Sequence, residues 1–271
     1  MSTLTASARP TARPTARPTA RSSVDDASIT FVRLCRVELR KQVDTRAGLW
    51  LLIVIALVNT ALIVLTLTTA SPADLNWANL TSAASLGQLV LLPLIGVMAA
   101  TSEWSQRTGL TTFALEPRRT RVNLAKLASA GLLGLIVMAL TLVAGAVLNV
   151  VGIVFRGGEG AWAMDWPMLG GAALALLILV AQGVAFGLAF LSTPVAIVAY
   201  LALPTVWTVL TMFISGLAEP AKWLDLNVTV LALMMGDLSP AGWAQLGTSV
   251  AVWIGVPLAV GLWRTARRDV A

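Results

Sequence analysis

Histidine is absent from this 271-residue chain, and cysteine occurs once, at Cys35. Without histidine the sequence lacks the commonest general base, the commonest nitrogen ligand for a metal and the side chain that switches charge near neutral pH. A single cysteine excludes an intrachain disulfide and a thiolate metal cluster. Charged residues make up 12% of the chain, where soluble domains carry about a quarter. No G-x-x-x-x-G-K-[ST] phosphate loop, no H-E-x-x-H and no G-x-S-x-G elbow occurs. The chain therefore shows no motif for cradling nucleotide phosphates, for zinc hydrolysis or for serine acyl transfer. No apolar stretch that would serve as a signal peptide precedes residue 49.

What the chain does have is apolar sequence. Hydrophobic residues reach 57%, in recurring runs of the ~20 residues needed to cross a ~30 Å hydrocarbon core. The expected fold is an all-α membrane protein of six transmembrane helices, preceded by an amphipathic interfacial (elbow) helix, with both termini cytoplasmic. The expected spans are Leu49–Thr69, Ala83–Thr101, Leu127–Phe155, Pro167–Leu191, Val195–Leu217 and Ala244–Trp263. The third, 29 residues without a charge, exceeds the bilayer core and is expected to tilt or project. Leu226–Met235 is apolar but too short for a helical crossing, so Ala218–Trp243 reads as a re-entrant or surface segment.

Ahead of the spans, residues 1–28 form a tail whose Ala-Arg-Pro-Thr repeat has proline every fourth residue and nothing apolar to bury, which predicts disorder. Residues 29–271 form the six-span membrane domain. Ile29–Ala47 places Val32, Cys35, Leu39 and Val43 at helical spacing among Arg33, Arg36, Arg40 and Lys41, as a helix lying on the inner membrane surface would. Cys35 is then a packing residue.

Lys and Arg set the orientation. With six spans and an internal N-terminus, 17 basic residues fall inside and only Arg156 and Lys222 outside. This bias accounts for the +6 net charge without nucleic acid, because the arginines flank spans rather than studding a basic aromatic face. Most tryptophans lie at span ends, as an interfacial belt does; Trp207 and Trp253 lie within spans and read as helix packing. No expected span contains Asp, Glu, Lys or Arg, which disfavours a proton-coupled carrier. Asn59, Gln88, Asn149 and Gln182 are expected to hydrogen-bond between helices, and the Gly183/Gly187 spacing to mark local helix packing.

Between the second and third spans lies the one long basic polar segment, Ser102–Lys126. Gly109 suits a helix end, Leu110–Leu115 suits a short helix and Pro117 breaks the chain again. A short helix held between two long ones is a lever on both. Glu103-Trp104, Arg107-Thr108, Thr111-Thr112, Pro117-Arg118-Arg119, Arg121 and Lys126 resemble the cytoplasmic loop of type-2 ABC exporter permeases. Those loops commonly run Glu-aromatic, Gly-Thr, a short apolar helix, Pro-Arg-Arg and Ala-Lys. The Gly-Thr pair stands here as Arg107-Thr108, with Gly109 one place later.

The resemblance spans roughly residues 29–271. It implies the membrane subunit of an ATP-driven exporter in the cytoplasmic membrane, with no cofactor and no ATPase site of its own. The implied partners are a separate ATP-binding subunit, a second permease subunit (the same chain or a homologue) and the lipid bilayer. Glu103 through Leu115, with Trp104, Arg107, Thr108, Gly109, Thr111 and Thr112, would meet the ATPase. Arg118, Arg119 and Arg121 would pin the loop to headgroups or to acidic residues of that partner. Two other readings stay open: a non-transporting anchor or sensor subunit, and an ion-coupled carrier.

The sole thiol tests the orientation. Cys35 is expected to resist a membrane-impermeant maleimide in intact cells and to react after permeabilisation; labelling of intact cells would reverse the topology.

Overall fold

A computed structural model describes residues 29–106, 108–236 and 238–267. The repeat tail within 1–28, Arg107 and the C-terminal Arg268 lie outside the described residues. The elements are α1 (Phe31–Asp44), α2 (Arg46–Thr69), α3 (Trp77–Ser105), α4 (Gly109–Leu115), α5 (Arg119–Arg156), α6 (Trp166–Phe190), α7 (Thr193–Phe213), α8 (Ala218–Leu224), α9 (Leu226–Met234), α10 (Pro240–Val250) and α11 (Val256–Arg267). A π-helical turn, Ala251–Gly255, joins α10 to α11 into one crossing. Six helices are long and apolar enough to span a membrane: α2, α3, α5, α6, α7 and the α10–α11 unit. The chain is a multi-pass α-helical membrane protein, and among the described residues there is no strand.

The helices outrun the expected spans because polar ends continue the hydrogen-bond ladder beyond the apolar run. Helix α5 begins at Arg119, eight residues before the expected Leu127, so the arginines after Pro117 are its first turn. The fifth crossing stops early, at Phe213, and a 3-10 turn over Ser215–Leu217 leads into α8. Within residues 218–236 the chain forms two short helices, α8 and α9, and α10 begins at Pro240. The nine-residue α9 buries Leu226, Val230 and Leu233 against Ala175 of α6 and Leu246 of α10. Asp225 starts it by accepting from the N–H groups of Asn227 and Val228.

The core sits between α3 and α6. About two-thirds of the apolar window of each is inside the protein (61% and 67%), against 22% for the other four crossings. On α6, Leu176, Val180, Val184 and Leu188 recur every fourth residue, packing on Leu92, Ile95 and Ala100 of α3, Ile55 of α2, and Ala130 and Leu133 of α5. The two helices approach so closely that a Cβ on Gly183 would overlap the Pro93 carbonyl, and one on Gly187 would meet Ala100 and Val97. The Gly183/Gly187 spacing is thus a contact within the chain, as expected.

Pro93 leaves the Leu89 carbonyl without its helical donor, and the Tyr200 hydroxyl of α7 donates to it at 3.4 Å. Pro257 has the same effect in the last crossing. There the ladder slips into the π turn just before it, and Val256 donates to the Ala251 carbonyl five residues back. Of the in-span amides, Asn59 and Gln88 both donate to Thr141, at 3.3 and 2.6 Å, joining α2 and α3 to α5. Asn149 instead donates to the Gly160 carbonyl in the following loop, and the buried Gln182 amide nitrogen has no partner among the described residues. Trp253 packs, as expected, and donates to the Leu224 carbonyl.

Substituting Gly183→Leu is expected to force α3 and α6 apart and to cost at least the ~1–3 kcal/mol of core overpacking. Gly170→Ala, where an added methyl meets nothing within 4 Å, is expected to be neutral. Thermal unfolding of the detergent-solubilised protein compares the two.

Candidate functional site

Helix α1 docks on the bundle by a row that only partly coincides with its apolar stripe. Leu34, Glu38 and Gln42 are buried, whereas Val32 is 71% exposed and Val43 also faces outward. Cys35 packs, as expected, with Leu34, Phe113, Val122 and Ala125. The chain turns sharply from α1 into α2 at Thr45, whose hydroxyl accepts from the Gly48 N–H; a Cβ at Gly48 would overlap the Gln42 carbonyl. That turn fixes the rotation of α1 and aims Glu38 inward.

Glu38 meets Lys126 of α5 and Glu103 of α3. The Lys126 ammonium is 1% exposed and lies 2.7 Å from Glu38 Oε2 and 3.1 Å from Glu103 Oε1. Lys41 closes the cluster from the rim, 2.6 Å from Glu38 Oε1 and 3.2 Å from Glu103 Oε1. Two carboxylates and two ammonium groups leave the node neutral. That balance lets three of its members be buried, since an unpaired buried charge would cost several kcal/mol. Burial alone would lower the affinity of Lys41 for its proton; Glu38 and then Glu103 outweigh it and hold the Lys41 pKa above the usual lysine value. The stabilisation from Lys41 is therefore complete below the ordinary lysine range and lost only as pH rises past the raised value. Ser129 extends the node, accepting from the Gln42 amide and donating to the Lys126 carbonyl.

The segment between α3 and α5 folds back onto this node. The Thr108 N–H donates to the Glu103 carbonyl, and α4 follows as a short helix whose inner face is Gly109 and Phe113. Phe113 lies 6.3 Å from Trp104, ring centre to ring centre, and the Arg119 guanidinium lies over the Phe113 ring at 5.0 Å. Arg119 also donates to the Thr265 carbonyl of α11 at 2.7 Å. Arg121 reaches Glu116 Oε2 at 3.0 Å and the Ile29 carbonyl at 2.8 Å, and Glu116 accepts the Arg118 N–H.

The expected loop residues thus divide. Glu103 and Lys126 are buried and paired to each other. Trp104 packs, half-buried, against Phe113. Arg119 and Arg121 tie α4 to α11 and to the segment leading into α1. Thr108, Thr111 and Arg118 are exposed, and Thr112 is half-buried; the Thr111 hydroxyl donates to the Thr108 carbonyl. Arg107 lies outside the described residues.

Glu38, Glu116, Gln42 and Thr265 were not singled out from the sequence as site residues. The available signal was Glu38 with Lys41 one turn later, and Glu116 five residues before Arg121. Nothing in either spacing says that both acids are buried. The four charged groups of the node are paired with one another. Among the described residues no three His, Cys, Asp or Glu side chains gather as metal ligands. Its chemistry is mechanical: it locks three helices at one level. Comparison of the chain with protein-family models, with curated proteins and with solved structures finds no match.

Replacing Lys126 by Met leaves two buried carboxylates sharing the single ammonium group of Lys41 and is expected to cost about 3–5 kcal/mol. Combining K126M with Glu38→Gln and Glu103→Gln removes the repulsion between the carboxylates and is expected to restore most of the loss. Denaturation midpoints of the single and triple variants check this, and a triple variant no more stable than K126M would refute the ion-pair account.

Proposed function

We propose that this chain is the membrane-spanning permease subunit of an ATP-driven ABC exporter of the cytoplasmic membrane, working with a separate ATP-binding subunit and a second permease subunit. The observation that carries this reading is the way α4 is held. Its inner face is fastened through Phe113, Trp104 and Arg119, and the Glu103–Lys126 pair ties together the two crossings that flank it. On its outer side Leu110 and Leu115 are 54% and 75% exposed.

A seven-residue helix that shows two leucines to solvent has a docking face. Its attachments are stiff, because a close-packed, ion-paired junction transmits displacement instead of absorbing it. Pressure on α4 is delivered through Thr108 to α3 and through Glu116–Arg121 to α5 and α1. Driving energy comes from the partner, since the ionisable groups of the node are paired with one another near one end of the spans. In this reading α4 and α1 lie on the cytoplasmic side, α1 rests on the inner leaflet with Val32 and Val43 toward lipid, and the ATPase meets Leu110, Thr111 and Leu115.

The reading is tested by purifying the full-length chain from its native membrane. An ATPase subunit is expected to co-purify, and the pair Leu110→Asp and Leu115→Asp is expected to release it while leaving thermal stability unchanged. Retention of the ATPase by that variant, or solute movement by the purified chain with no nucleotide hydrolysed, would overturn the proposal.

A further inference from the structure

At the end of the bundle remote from α4, a cavity of about 390 Å³ opens between α3, α5, α6 and α9. Five of the chain's eight methionines line it: Met138, Met164, Met168, Met234 and Met235. Methionine is flexible and polarisable, so a wall built from it reshapes around ligands of differing outline. The volume falls within the ~300–1,000 Å³ usual for small-molecule sites.

Several polar groups in this wall are engaged within the protein. The Gln88 amide nitrogen is engaged by Thr141, and that of Asn79 by the Asp74 carbonyl. The Thr141 hydroxyl donates to the Val137 carbonyl, and the Ser82 hydroxyl to the Asn79 carbonyl. The thioether sulfurs of the lining are weak acceptors. Thr81, 8% exposed, adds a buried hydroxyl with no partner, able to donate or to accept. One titratable side chain lines the cavity among the described residues, the exposed Asp165 carboxylate, and no Lys or Arg does. Asp165 uses Oδ1 to cap α6 through the Met168 N–H.

We propose that this cavity is a binding site for an apolar organic cation, with its body against the methionines and its positive charge toward Asp165. An anion of the same shape meets a carboxylate with no Lys or Arg in the lining to offset it, and is disfavoured. The inference rests on the export reading only for what the binding is for. Occupancy needs no ATPase, so the site stands or falls on the purified chain.

Equilibrium binding to the full-length protein in nanodiscs of neutral lipid provides the test, with tetraphenylphosphonium and tetraphenylborate as a matched pair of opposite charge. Saturable binding of the phosphonium is expected, with at least tenfold weaker binding of the borate. Asp165→Asn keeps a residue able to cap α6 and is expected to weaken phosphonium binding about fivefold, as loss of ~1 kcal/mol of charge attraction implies. Ala172→Trp, from α6 into the cavity, is expected to abolish it. Equal affinity for the two ions, or unchanged phosphonium affinity in both variants, would overturn the site. Failed binding by a chain that still carries its ATPase would remove this proposal and leave the export reading standing.

Discussion

Lys126 brings an ammonium group from α5 into a space almost closed to solvent, and two carboxylates from different helices meet it there. Dehydrating an ammonium and two carboxylates is costly, and only close, mutually hydrogen-bonded geometry returns that energy. The requirement is strict, so the relative positions of α1, α3 and α5 at this level are strict as well. Apolar contact between helices in lipid gives no comparable register, since lipid chains are as apolar as leucine. The node thus does for the three helices what side-chain hydrophobicity cannot. The tight Thr45–Gly48 turn and the Gln42–Ser129–Lys126 hydrogen bonds all hold it in place.

The rest of the bundle is arranged around a second rigid element, the α3–α6 contact. Glycine on α6 lets the backbones touch, and Pro93 leaves a carbonyl that Tyr200 satisfies from α7. Helix α3 is therefore anchored twice, by packing at its middle and by charge through Glu103 at its end. Its other half borders the methionine-lined cavity through Thr81, Ser82, Ser85 and Gln88. One helix runs from the α4 junction to the cavity, so a displacement imposed at Glu103 has a direct mechanical route to the cavity wall. Gln88 and Asn59, both bonded to Thr141, carry the same displacement into α5 and α2.

Much of this was legible before any coordinates. Six crossings, the short helix between the second and third, the amphipathic leading helix and the inability of 226–235 to span all follow from length and hydropathy. These properties are local: whether twenty residues can sit in hydrocarbon depends on those twenty residues. Most boundaries shifted outward, and the end of the fifth crossing inward to Phe213, because a helix ends where its ladder is capped, not where its apolar stretch ends. The reading of α1 was right in period and incomplete in direction. Val32 and Val43 of its stripe face away from the protein, Cys35 and Leu39 pack against it, and Glu38 and Gln42 face in.

The sequence by itself determined that the chain lies in a membrane, how many times it crosses and where its one long basic connection sits, since hydrocarbon solvation sums residue by residue. Only the tertiary structure decided that Glu103 and Lys126 are a buried pair, that Arg119 and Arg121 hold this connection to its own chain, and that five scattered methionines share one wall. A charge on a polar loop has the same letter whether it faces water or a counter-ion from another helix. Its role depends on distances between residues as far apart in the chain as Glu38 and Lys126, and those are settled only when the helices pack.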